Sequence, residues 1–383
     1  MARVLLVDTN FSSGPIYREL VSMGHDVHVV GNNPNDYLAK ISSNYWNLNY
    51  ADTDALAALV DKNKFEFLVP GCTDRSYTSC VAVSAGRFPC LDTVEASDAI
   101  FNKGKFRLLA DRLNLPVPQK LASNLSPSRW PIIVKPADAF SGKGITVLQE
   151  KDLPALAEAI SLARDASPTG DYLIEEFVEG QLHSHSAFLR NQKVVQDFIV
   201  QEDSTVNPFV VDTSRVVHDA PLSLLARLRE CIEVMARELS LADGLIHTQF
   251  IRNGEDFWLI EITRRCPGDL YSQLIELTTG YPYARSYVLP FVDKSVPDFT
   301  DDLRDDPIMR HTVTLAEAQI LAYLRFKLPL QIESLTPLSL AGDQLKPSPQ
   351  SRVGIVFCRA ADHQDLEHIY QMTLQRNLYE IHA

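Results

Sequence analysis

A chain of 383 residues, 45% of them hydrophobic, is long enough for two or three units around at least one large core, and disorder is not expected. Its formal charge of -13, with lysines and arginines dispersed, speaks against nucleic acid, because a phosphate backbone demands clustered basic residues. Six scattered cysteines without CxxC spacing suggest neither a zinc site nor a disulfide framework, MARVLLVDTN is too short an apolar run for a signal peptide, and no run approaches the ~20 apolar residues of a membrane span, so a soluble cytoplasmic protein without a membrane partner is expected.

Residues 1–97 read as an α/β unit with a parallel sheet: RVLLVD, a helix from about 14 to 23, DVHVVG, a polar helix around 51–63, then FEFLVP. The loop 9–14 (TNFSSG) stands where a dinucleotide fold would carry GxGxxG and lacks that spacing, which speaks against a full dinucleotide site, although the end of a first strand is a common place for a small ligand. Residues 70–74 (PGCTD) either line the same crevice or form a plain turn. A second unit, 98–300, opens with one helix containing Asn102, Lys103, Lys105 and Arg107 and continues through the extended link NLPVPQ. A strand at 131–135, a loop at 137–144, a strand at 145–148, a helix at 152–166 and a strand at 172–176 follow, within a small subdomain of about 115–182. The acidic, proline-containing stretch 293–306 marks a boundary, and 301–383 reads as a small mixed region with a few strands and a last helix from about 364.

Three segments carry chemistry. The buried strand 132–136 delivers Lys135 at its end, and Ser141, Gly142, Lys143 and Gly144 follow as a loop whose backbone N–H groups can reach phosphate oxygens beside a fixed positive charge; GxxxxGK[ST] is absent, so it is not a Walker loop. In LIEEFVEG, backbone groups can read an adenine edge while Glu175, Glu176 or Glu179 accepts from its amino group or from ribose, although acids on a strand can equally face solvent. The stretch 244–270 reads as a hairpin with its turn at Asn253-Gly254, and alternation puts Gln249, Glu261 and Thr263 on one side as oxygen ligands of the kind Mg²⁺ selects, with Arg265 just beyond and Arg264 turned away. Taken alone, the stretch reads equally well as a buried hairpin with one satisfied glutamate.

In this order a helix lysine (Lys103), a strand lysine before SGKGI, the hinge EEFVEG and a hairpin ending in EITRR then PGD resemble the ATP-grasp superfamily, over roughly residues 1–290. The resemblance implies an N-terminal parallel-sheet (pre-ATP-grasp) domain, a two-part ATP-grasp domain and a small C-terminal region packing on it. It places phosphates on Lys103, Lys135 and the loop Ser141, Gly142, Lys143 and Gly144, adenine on Glu175, Glu176, Phe177 and Val178, and Mg²⁺ (or Mn²⁺) on Glu261 with Gln249 and Thr263. Gln249 stands where carboxylates are common, so a glutamate there is expected to be tolerated and to tighten the metal. Thr263 replaces the usual asparagine, and Leu182 stands at the usual ribose-binding glutamate, leaving His183 or Glu179 for that role.

The expected reaction follows from such a site. Lysines and metal draw charge from the γ-phosphoryl group of ATP, a substrate carboxylate attacks, and an amine displaces the acyl phosphate, with Arg265, Lys135 and Glu261 catalytic. The expectation is an ATP-dependent carboxylate-amine ligase acting on small molecules, with an amino acid or a related compound as substrate. A carboxylase or purine-pathway ligase, and a non-catalytic ATP-binding regulatory protein, are the alternatives; a homodimer is left open.

Overall fold

A computed structural model describes residues 1–121, 130–139 and 142–383. The N-terminal strands Arg3–Val7, Asp26–Gly31, Tyr45–Asn47 and Phe67–Pro70 form a parallel sheet in which the first lies between the second and the fourth. Its central strands are buried, as parallel strands covered on both faces must be. Helix Asp74–Ser84 starts where the last strand ends, and the Thr73 side chain caps it by accepting from the Ser76 amide.

The helix expected from about residue 98 is in fact two, Val94–Phe101 and Lys103–Leu113. Asn102 breaks them apart: its extended backbone ends the first, and its side chain caps the second by accepting from the Lys105 amide. Lys103 therefore sits at a helix start. The strands Thr146–Leu148, Ile132–Pro136 and Tyr172–Glu176 form a small antiparallel sheet, packed through Ile132, Val134 and Ile174 against Leu156, Ala159 and Ala163 of helix Leu153–Ala166.

The centre of the molecule is an eight-stranded antiparallel sheet. Its order is Asp256–Thr263, Gly244–Asn253, Gln181–Arg190, Lys193–Asp203, Thr213–Val217, Ile308–Val313, Gly354–Arg359 and Gln331–Pro337. The last three belong to the C-terminal region, which thus completes the central sheet rather than stacking on it as a separate layer. Helix Leu222–Glu238 covers one face, burying Leu224, Leu228, Ile232 and Met235, each worth about 1.5–3 kcal/mol of transfer free energy. Asn253 pairs with Asp256, so the hairpin turn is Gly254-Glu255, one residue later than expected, with Gly254 at φ +61°.

Candidate active site

Register decides which side chains meet, because residues directly opposite one another share a face of the sheet. Glu261 lies opposite Gln249, Gln249 opposite Ser184 and Ser184 opposite Val200; Thr263, His247 and Ser186 form the next row. Glu202, two residues after Val200, shares that face, and pairs through Ser214 with Arg310 of the C-terminal strand. One face of six adjacent strands therefore carries Glu261, Gln249, Ser184, Glu202, Ser214 and Arg310. A cavity of about 160 Å³ opens over it, lined by Glu202, His247, Gln249, Glu261, Thr263, Arg265, Tyr271 and Arg310 among others. Val211 and Asp269 also line a second cavity of about 550 Å³, to which Gly142, Lys143 and Arg352 contribute, so the two adjoin.

The expected residues Gln249, Glu261, Thr263 and Arg265 are brought together here. Lys103 joins them, its ammonium 3.1 Å from Glu261 Oε2 and 3.2 Å from the Ala139 carbonyl. The Thr263 hydroxyl donates to Asp74 Oδ1 (3.0 Å), and Arg265 Nε donates to the same oxygen (2.8 Å), so the N-terminal unit holds the end of the strand. Asp74, not Asp269, is thus the partner of Arg265; Asp269 is taken by Arg352. Burial opposes the Arg265 charge, but Asp74 and Glu261 raise its pKa and keep it a cation. Arg264 points the other way, as alternation requires. It is 2% exposed, with Nε 2.8 Å from Asp92 Oδ2 and bonds to the carbonyls of Leu245 and Ala242.

Lys135 is buried, with its ammonium 2.6 Å from Glu175 Oε2, and Arg107 Nε donates to the other oxygen at 2.7 Å. This corrects the expectation for the Glu175 side chain: it is 0% exposed and neutralises the two cations instead of facing a nucleotide. Burial works to raise its pKa, yet Lys135 and Arg107 hold it below the ordinary range. Burial, with Arg107 and Lys103 nearby, lowers Lys135 to about 8 despite Glu175. Arg107 also donates to the Ile260 carbonyl at 3.1 Å, tying this group to the strand that carries Glu261.

The Glu176 carboxylate accepts from the Gln119 amide, the Glu176 amide donates to the Gln119 carbonyl and the Phe177 amide to the Pro131 carbonyl, while Val178 follows in coil. His183 is buried, hydrogen-bonded to the Gln181 carbonyl and stacked on Phe250; it lines neither cavity. Ser141 lies outside the described residues. Gly142 and Gly144 both have φ +69°, and a Cβ on Gly142 would come within 2.8 Å of Phe209, so glycine is required where Gly142 approaches that residue.

Glu202 and Arg310 escaped the sequence reading, since nothing local says that their strands lie beside the hairpin. Glu202 accepts from Gln249 Nε2 at 2.7 Å; burial raises its pKa, with Gln249 and the nearby Ser184 hydroxyl opposing the shift. Arg310 bonds the Asp269 carbonyl and Ser214, and its Nε is buried without a partner. Burial, then Arg265 and His185, push His247 well below its usual range, so it is a neutral imidazole.

Among the described residues no group of three or more His, Cys, Asp or Glu gathers as a metal site. The oxygen donors over the sheet are the carboxylates of Glu261 and Glu202 and the Gln249 amide, with the His247 imidazole beside them; the oxygen donors fit Mg²⁺ shared with a substrate phosphate. No helix of the described residues is long and apolar enough to cross a membrane.

Residues 128–273 match the model of the ATP-grasp domain. A formate-dependent phosphoribosylglycinamide formyltransferase from Histophilus somni is 24% identical over 46% of this chain and 47% of its own. A phosphoribosylamine–glycine ligase from Pyrococcus furiosus is 26% identical over 69% of this chain and 66% of its own. The chain spans about half the length of the first of these curated relatives. In fold it is similar to the L-amino acid ligase from Bacillus licheniformis, with a TM-score of 0.80 at 14% identity over 100% of this chain and 99% of that one.

Proposed function

Because residues 128–273 are an ATP-grasp domain, we propose that this protein is an ATP-dependent ligase that activates a small carboxylate as an acyl phosphate and couples it to an amine, with an amino acid or a close relative as carboxylate. The observation that carries the reading is the single cavity in which Glu261, Gln249, Arg265 and Arg310 converge, with Lys103 on Glu261 and the Lys135 group tied in through Arg107.

Lys135 and Lys103 hold the phosphates, and the glycines of the loop let backbone N–H groups approach them. Mg²⁺, held by Glu261 and Gln249, would supply charge neutralisation between phosphate oxygens. The substrate carboxylate oxygen attacks the γ-phosphorus, the bond to the β-γ bridging oxygen breaks, and ADP leaves. The amine nitrogen then attacks the acyl carbon, releasing inorganic phosphate and a proton. Arg265, fixed by Asp74, presents its remaining N–H groups to the carboxylate and the transferring phosphoryl. Arg310, with an unspent buried Nε beside the same cavity, is the second anion anchor.

The relatives whose names contain a phosphoribosyl group favour a second reading, in which the amine is a phosphoribosylated one and the basic residues Lys143 and Arg352 of the adjoining cavity receive its phosphate. Phosphate release from ATP, measured across pairs of carboxylates and amines that include amino acids and phosphoribosylated amines, tests both. Amine-dependent ADP formation supports a ligase and names its pair. Nucleotide binding with no turnover on any pair would favour a non-catalytic binding protein.

A further inference from the structure

Position 249 presents a neutral amide at the point where a metal-holding hairpin benefits from negative charge, and an amide can turn either end toward the cavity. Glu202 resolves both matters. Its carboxylate, 4% exposed, accepts from Gln249 Nε2 at 2.7 Å, which assigns the nitrogen end to Glu202 and leaves the carbonyl oxygen for the cavity shared with Glu261. The two residues belong to strands separated by a third, and their side chains meet over Ser184, whose small side chain leaves room. We propose that Glu202 and Gln249 act as one unit, Glu202 positioning the amide oxygen toward the metal side and carrying, one strand removed, the second negative charge of the cation-binding face.

This rests on the ligase reading and refines it. It also reverses the expectation that glutamate at 249 would be tolerated. A second carboxylate 2.7 Å from Glu202 would meet like charge in a buried place, so one of the pair would have to take up a proton or turn away. The unit should instead survive inversion, because a glutamine at 202 can donate to a glutamate at 249 with the same atoms bridging.

The experiment measures Mn²⁺ binding by calorimetry in the presence of a non-hydrolysable ATP analogue, with turnover recorded beside it, for Glu202→Gln, Gln249→Glu and the double variant. Each single variant is expected to weaken Mn²⁺ binding about tenfold or more, as loss of a charge-assisted contact does, and the double variant to recover to within about threefold of the parent protein. Unchanged Mn²⁺ binding in Glu202→Gln, or a folded double variant no better than the singles, would overturn the pairing. Thermal melting reports folding, and where a single variant does not fold the double variant against the parent decides alone. Failure of the parent protein itself to bind Mn²⁺ with nucleotide would instead overturn the ligase reading, and the pairing with it.

Discussion

The two charged groups of this site are built on opposite plans. Around Lys135 the charges are sealed and answer one another: Glu175 is fully buried between Lys135 and Arg107, with Glu175 and Lys135 on neighbouring strands of the small sheet and Arg107 on helix Lys103–Leu113. Around Glu261 the charges face an open cavity, and each is steadied from outside its own strand, Glu261 by Lys103, Arg265 by Asp74, and Gln249 by Glu202. A buried cation must have a carboxylate because desolvation is costly, but an ammonium has three donors and Glu175 uses one, so charge remains for a ligand. At the open end, a reacting group must be held to within a fraction of an ångström, and distant polar partners do that holding.

The contrast is broken most severely at its open end. Glu261→Gln removes the central carboxylate of the cavity, and turnover is expected to fall by about a thousandfold, since organised metal charge contributes several kcal/mol to the transition state. ATP binding should persist, because the Lys135 group keeps its own ion pairs with Glu175 and Arg107 whatever stands at 261. Abolished ATP binding, read by calorimetry, would mean that the two ends are one structure and the comparison is wrong.

Adjacent arginines sharpen it next. Arg264 is buried on Asp92 and two carbonyls, and lysine cannot reproduce that fork, so Arg264→Lys should lower stability by about 2 kcal/mol in denaturant titration. Turnover of the folded variant should change little. Arg265→Lys should do the reverse, lowering kcat about tenfold, or roughly 1.4 kcal/mol, with stability and ATP affinity nearly unchanged. Equal, mild effects in both variants would return Arg265 to a structural role beside Asp74.

What was legible in the sequence, and what was not, divides along the same line. Gln249, Glu261 and Thr263 could be set on one face from alternation within a single hairpin, and the structure puts them there. The alternating strand and helix pattern of the first 97 residues likewise announces a parallel sheet by local means. Glu202 and Arg310 were silent because their strands reach the site only through sheet order, which no local period encodes, and the segment 70–74 could be offered as lining a crevice but not Asp74 as the partner of Thr263 and Arg265. The strands Gln181–Arg190 and Lys193–Asp203 were missed for a related reason: their site-facing residues, Ser184, Ser186 and Glu202, are polar and interrupt the apolar pattern that marks a strand. Glu175 was misjudged because an acidic pair on a strand reads as exposed until its neighbours Lys135 and Arg107 are seen in contact with it.

The smallest expected effect lies at the sealed end, and it is a matter of pH. Burial, assisted by Arg107 and Lys103, lowers the Lys135 ammonium to about 8, so part of its charge is lost just above neutrality. On the proposed reading a phosphate held by Lys135 favours the charged form, and nucleotide binding is then expected to take up protons as pH rises through 8. The sign follows directly: ATP affinity should hold steady below about pH 7.5 and decline by a few fold by about pH 9, the direction set by a folded, ligand-free pKa that lies below that of the complex. Lys135→Arg keeps a charge that does not titrate in this range and should flatten the profile, whatever its affinity at neutral pH. Calorimetry across that window on both proteins measures it. An equally steep decline in Lys135→Arg would place the titrating group elsewhere and remove Lys135 from contact with the phosphates.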